Sequence, residues 1–353
     1  MIIDKNNSFI YFTCWEDVKE SSILDIIDLL DIKNLIIDCA TEWEPNFTME
    51  HVEYQLGVQL DFINELKIRK VETQVILGGY GFEDYAENFQ HLISQMLNNG
   101  LMVSYFPSYW LNETYRQSPK LNFQWTKKTF NTPSENLGYI FVNKPHKHRC
   151  IFIDEMYGMG LDKYINFTWN LLTENDIGYP YQFKNWKEKI VIDKDDTYGK
   201  TDYKTNWDLP SDKYFSSVFE IVLETHIDSV FISEKTWKPI IYGKPFVVFG
   251  RQYFHKRLQE LGFRLYTNFI DYTFDEEPDP NLRARMLLEQ LNRWKDHDYE
   301  RLTRTMRPVA EHNMRTAKSL IKESKNQYGS LSNFGKMDPN AFGNIELYLD
   351  SII

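Results

Sequence analysis

The residues best equipped for chemistry lie in residues 219–250, FEIVLETHIDSVFISEKTWKPIIYGKPFVVFG. An apolar run at 218–223 ends in Glu224 and Thr225, and a loop later Ser233, Glu234, Lys235 and Thr236 precede Trp237. Ser233 suits a helix N-cap, Glu234 can accept hydrogen bonds from two neighbouring sugar hydroxyls, and Lys235 can neutralise a phosphate oxygen. Such a set serves a ligand that carries both a diphosphate and a sugar. A second set, Asn143 to Arg149, holds five basic or partly basic side chains behind the apolar run at 139–142. The planar fork of Arg149 matches phosphate oxygens and the charge of a phosphate leaving group. Tyr214 presents a ring that can stack on a base or pack in a core. Two more strand ends carry carboxylates, Glu42 beside Glu44 and Asp84 beside Glu83. A carboxylate there can take the proton of an attacking hydroxyl or remain a solvated loop side chain.

Elements must hold these groups in place. The run ending at Leu223, the polar loop, a helical stretch at 237–242 stopped by Gly243, and the β-rich run at 245–249 predict a strand–helix–strand unit of parallel strands. In open sheets of this kind ligands sit outside the carboxyl ends of the strands, where helix amino ends offer N–H groups to anions. The first third alternates likewise, with strands at 8–13, 35–39, 73–77 and 101–106 and helices at 21–30, 49–66 and 84–98. The aromatic stretch 106–117 either lines a sugar-accepting cleft or packs between domains. Residues 118–137, polar and with two prolines, read as a linker. Beyond it come a strand at 139–142, a helix at 151–156 and an irregular stretch from 162 to 205. A helix at 252–261, a short strand at 263–266, an acidic loop at 271–280 and helices at 281–294 and 299–324 follow. The predicted domains are 1–117 and 138–325, with a tail at 326–353 that packs back on the first.

The order Tyr214, Phe219, Glu224-Thr225, Ile232-Ser233-Glu234-Lys235, Trp237, Gly243, Pro245, Val247-Val248 and Gly250 resembles the donor-binding motif of the α-1,3-fucosyltransferases. That motif has Glu-Asn, then Ile-Thr-Glu-Lys-Leu-Trp, then Gly-x-Pro with a β-branched pair and a glycine. Here Thr225 stands for the Asn, Ser233 for the Thr, and Lys244-Pro245-Phe246 for Val-Pro-Val. The resemblance is strong over 212–250 and weaker from 138. It implies an α/β fold of the GT-B type, two Rossmann-like domains facing across a cleft with the donor on the second. The implied activity is inverting transfer of a sugar from a GDP- or UDP-sugar to a hydroxyl acceptor such as a glycan, with no essential metal and no other cofactor. The implied donor set is Asn143, Arg149, Tyr214, Glu224, Thr225, Ser233, Glu234 and Lys235. Asn143 and Arg149 match a Ser-Asn turn and a nearby Arg of the family, and Glu42 and Asp84 are the candidate bases. Asp193, Asp195 and Asp196 form an Asp-x-Asp pattern of the kind that holds a divalent cation in another glycosyltransferase architecture. Two rival readings are transfer to a hydroxylated DNA base and a non-catalytic nucleotide-sugar-binding protein.

At 353 residues the chain is long enough for two domains, and 42% hydrophobic and 16% aromatic residues suffice for their cores. The net charge of −11 disfavours nucleic acid as a partner unless a local basic face overrides the total. No apolar run reaches the length of a membrane span, and the start MIIDKNNSFIYF has no pattern of a cleavable leader. Three well-separated cysteines, Cys14, Cys39 and Cys150, predict reduced thiols and a cytoplasmic location.

Overall fold

The computed structural model describes residues 2–4, 8–13, 19–39, 60–78, 96–106, 128–142, 146–169, 183–186, 212–227 and 232–331. The chain divides into two compact units, Met1–Asn112 with Leu320–Ile353, and Glu113–Ser319. Both are α/β, with parallel strands and helices.

Among the described residues the first unit holds a five-stranded sheet in the order β1-β2-β3-β4-β5. Its strands are β1 (Ile2–Asp4), β2 (Phe9–Thr13), β3 (Asn34–Cys39), β4 (Glu72–Gly78) and β5 (Met102–Phe106). Strands β2 to β5 are parallel, and β1 pairs antiparallel with β2 at the edge. Helix α1 (Glu20–Leu30) joins β2 to β3 and buries Ile23 and Ile27, one turn apart on its apolar face. Helix α2 (Leu60–Ile68) buries Phe62, Ile63 and Leu66, and the guanidinium of Arg69 reaches Asp28 of α1 at 2.9 Å. The expected strands and the helix at 21–30 are present, whereas β1 was not anticipated. Of the helix expected at 49–66, residues 49–59 lie outside the described residues, as do 84–95 of the one expected at 84–98.

Among the described residues the second unit carries a four-stranded, fully parallel sheet in the order β7-β6-β8-β9. Strand β6 is Asn136–Val142, β7 Ile165–Trp169, β8 Ser217–Leu223 and β9 Phe246–Phe249. Every residue of β8 and β9 is buried, as expected of parallel strands covered on both faces. Its helices are α3 (Lys147–Gly158), α4 (Asp212–Phe215), α5 (Glu234–Tyr242), α6 (Phe254–Glu260), α7 (Pro280–Asn292) and α8 (Tyr299–Leu331), whose residues from Leu320 onward belong to the first unit. The chain leaves β6 for β7 on one side and then crosses to β8 on the other. The order therefore reverses between β6 and β8, which is where open α/β sheets bind ligands.

Three expectations for this unit need correction. The sequence predicts an irregular stretch over 162–205, yet β7 lies within it; Ile165, Phe167 and Trp169 alternate with Asn166 and Thr168, the period of a strand. The strand expected at 263–266 is absent. Both backbone groups of Arg264 are taken by the Asn313 side chain, at 2.8 and 3.0 Å, and the Tyr266 N–H donates to the Tyr272 hydroxyl, so this segment has no ladder to join. Helix α3 starts before the expected 151, so His148 and Arg149 sit in its first turn.

Candidate functional site

The site is built around Glu224, the residue that follows β8. It is fully buried, and its N–H continues the ladder to Phe249 O of β9. Its carboxylate accepts four hydrogen bonds. Oε1 takes Ser233 N at 3.1 Å and Thr236 Oγ1 at 2.6 Å, while Oε2 takes Thr225 N at 3.0 Å and Ser233 Oγ at 2.6 Å. A carboxylate has about four acceptor positions, so this one is saturated. Its carbonyl oxygen receives His148 Nε2 at 2.8 Å and Arg149 Nε and Nη2 at 3.3 and 3.0 Å. One residue thus fastens the start of α5 to the end of β8 and the first turn of α3 to the same point. Burial raises the Glu224 carboxyl above its ordinary value, against the charge of Lys235 and the hydroxyls of Ser233 and Thr236.

Ser233 is the N-cap of α5. Its Oγ accepts Lys235 N at 3.2 Å, and its carbonyl accepts Thr236 N and Trp237 N at 3.1 and 3.2 Å. The helix closes at Gly243, whose φ of 69° is the left-handed turn that glycine adopts without strain. Ser233 thus engages the N–H groups of Lys235, Thr236 and Trp237 in the first turn of the helix. Lys235 Nζ donates to Glu234 Oε1 at 2.7 Å and to Thr225 Oγ1 at 2.8 Å, and the Glu234 and Lys235 side chains are each 17% exposed. Glu234 Oε2 is buried and accepts no hydrogen bond among the described residues. Burial acts to raise the Glu234 carboxyl, but the charge and hydrogen bond of Lys235, with the charge of Arg149, outweigh it and hold the group below its ordinary value.

Arg149 is 2% exposed, so its guanidinium lies within the protein rather than on a surface turn. Its charge is felt at Glu234, so cations from α3 and α5 act on one carboxylate. His148 beside it is pushed down to about 3, by burial first and then by the charge of Arg149. The ring is therefore neutral at pH 7, and Nε2–H donates to Glu224 O.

The structure brings Arg149, Glu224, Thr225, Ser233, Glu234 and Lys235 together at the carboxyl end of β8. Tyr214 is placed elsewhere. It is fully buried, its hydroxyl donates to Glu220 Oε2 at 2.7 Å, and its ring packs on Phe141 and Tyr139, with centroids 5.2 and 5.8 Å away. A ring so enclosed is packing, not a platform for a base. Glu42, Asp84 and Asn143 lie outside the described residues, as do Asp193, Asp195 and Asp196. Among the described residues no group of three or more His, Cys, Asp or Glu is placed to hold a metal ion. Nor is any helix among them long and apolar enough to cross a membrane.

Sequence reasoning passed over a second buried cluster beneath α5. Glu220, in the middle of β8, is pushed up to about 7 by burial, against the charge of Lys238 and the Tyr214 hydrogen bond. Lys244 Nζ donates to the carbonyls of Tyr214 at 2.9 Å, Phe215 at 3.3 Å and Ser217, closing the end of α4. The available signal was three charged residues, Glu220, Lys238 and Lys244, set in otherwise apolar runs. Cys150 is buried and in no disulfide, and burial pushes its thiol up to about 12, which makes it unreactive.

The chain matches no protein-family model, no curated protein and no solved structure.

Proposed function

We propose that the chain is a nucleotide-sugar-dependent glycosyltransferase that moves a sugar from a nucleoside-diphosphate donor to a hydroxyl acceptor. The observation that carries this reading is the group Thr225, Glu234 and Lys235, joined by the Arg149 charge, at the reversal point of a parallel sheet. Lys235 is partly exposed and carries the charge a β-phosphate needs. Arg149 adds positive potential from within. Glu234, with one oxygen left unbonded, is suited to hydroxyls of the ribose or the transferred sugar.

In the reaction the acceptor oxygen attacks the anomeric carbon, forming the new C–O bond. The bond to the β-phosphate oxygen breaks, and its electron pair leaves on the diphosphate. Two cations facing that developing charge lower the barrier without moving during the step. The hydroxyl proton passes to a carboxylate, for which Glu42 and Asp84 are the candidates. The reading includes inversion, a GT-B arrangement of the units and leaving-group charge carried by side chains rather than by a metal. A panel of GDP-, UDP- and CMP-sugars tests it, scored for release of the free nucleotide. A transferase leaks sugar to water from its own donor, and a protein that binds a donor without releasing nucleotide is not one.

A further inference from the structure

The exposed face of α8 carries a basic stripe in a chain whose net charge is −11. Arg301, Arg304, Arg307, Arg315 and Lys318 are all exposed. At about 100° per residue their spacing keeps them within one arc of about 120°, along about 26 Å of helix. Leu302, Met306, Ala310 and Ala317 lie on the opposite side and are buried. Two carboxylates share the arc, Glu300 at its start and Glu311, which engages Arg307 at 2.9 Å. The Arg307 guanidinium also lies over the Phe130 ring, 4.2 Å from its centre. The other four cations have no carboxylate partner among the described residues. Beside the Arg301 end a groove of about 470 Å³ opens between α8, at Thr305 and Val309, and the segment 262–269. Gln259, Arg264, Thr267 and Asn268 line it, exposed and with no side-chain hydrogen bond among the described residues.

We propose that this face docks single-stranded nucleic acid, with phosphates along the arginine stripe and a base in the groove. Chemistry separates this occupant from the others. A bilayer surface takes up helices that present apolar side chains, but Leu302, Met306, Ala310 and Ala317 of α8 are buried. None of the large exposed apolar side chains among the described residues lies on it. A protein interface has a charge-poor centre, and this face has none. Arginine forks match phosphate oxygens, and a cationic track with room for a base is how single strands are held. The local face thereby overrides the acidic total. The inference does not rest on the donor site; where that reading holds, the acceptor hydroxyl is one carried by the bound strand.

The experiment is fluorescence anisotropy of the full chain with a labelled oligothymidylate at salt concentrations between about 50 and 200 mM. Five phosphate contacts give a slope of log affinity against log salt of about −3.5 for a single strand. The variant Arg304→Ala/Arg315→Ala/Lys318→Ala, at exposed positions, should unfold at the wild-type temperature, bind about tenfold or more weakly, and show a slope shallower by about 2. Asn268→Ala should weaken binding without changing the slope. The proposal is overturned if the wild type does not bind at the lowest salt, if the triple variant binds equally well, or if a duplex of the same length binds more tightly. Equal binding of phosphatidylserine vesicles would overturn it too. Donor binding by the triple variant is measured in parallel; its loss or retention reports on the α5 site alone.

Discussion

Lys235 Nζ lies 2.7 Å from Glu234 Oε1, and the pair stands at the first turn of a helix that Glu224 anchors through three hydrogen bonds, from Ser233 N, Ser233 Oγ and Thr236 Oγ1. The pair leaves Glu234 Oε2 without a donor, a buried acceptor that a ligand hydroxyl would satisfy. Glu234→Gln is expected to weaken binding of the donor sugar nucleotide about tenfold, as loss of a charge-assisted hydrogen bond does. Titration calorimetry with the sugar nucleotide checks this, and equal affinity would remove Glu234 from the donor site.

Glu224→Gln tests the anchor. The amide turns one acceptor oxygen into a donor that faces groups already donating, so about 3 kcal/mol of stability should be lost. Urea unfolding of the two proteins measures it. A loss below about 0.5 kcal/mol would show that the bonds from Ser233 and Thr236 do not hold α5 to the sheet.

Arg149 has both a scaffold and an electrostatic consequence, which one variant separates. Arg149→Ala should cost about 3 kcal/mol by removing a buried cation and its bonds to Glu224 O. It should also weaken nucleoside-diphosphate binding in the molecules that remain folded. If stability alone changes, the guanidinium is a fastener and takes no part in binding phosphate.

The neutral, buried His148 makes a pH prediction. Its folded value of about 3 lies below its ordinary 6.5, so its contribution is fully present above pH 6.5 and is lost as the pH falls toward 3. At pH 5 the loss is about 2 kcal/mol. Wild type should therefore lose more stability than His148→Gln between pH 8 and pH 5, by about that amount in chemical unfolding. Parallel curves would mean that the ring titrates normally.

The strand–helix–strand order around 217–249 was legible because buried parallel strands read as apolar runs and because Ser233 and Gly243 mark the ends of a helix. The cap at Ser233 followed from residue type alone. What could not be read was who bonds to whom. His148 and Arg149 reach Glu224 from 76 and 75 positions away, a pairing fixed only once β6 and β8 lie side by side. Glu224 looked like a ligand-facing acid because strand-end carboxylates often are; four donors from its own surroundings make it a fastener instead. Tyr214 met a buried carboxylate, Glu220, that an apolar strand pattern gave no reason to expect. The segment 263–266 has the composition of a strand, yet Asn313, some fifty positions along the chain, occupies the backbone groups of Arg264.

The most direct test of the central claim is calorimetric titration of the wild type and Lys235→Ala with GDP and UDP. The account predicts that one of the two nucleotides binds the wild type and that Lys235→Ala binds it about 10- to 100-fold more weakly, the worth of a hydrogen bond to a charged group. Failure of both nucleotides to bind the wild type, or equal affinity in the variant, would contradict it.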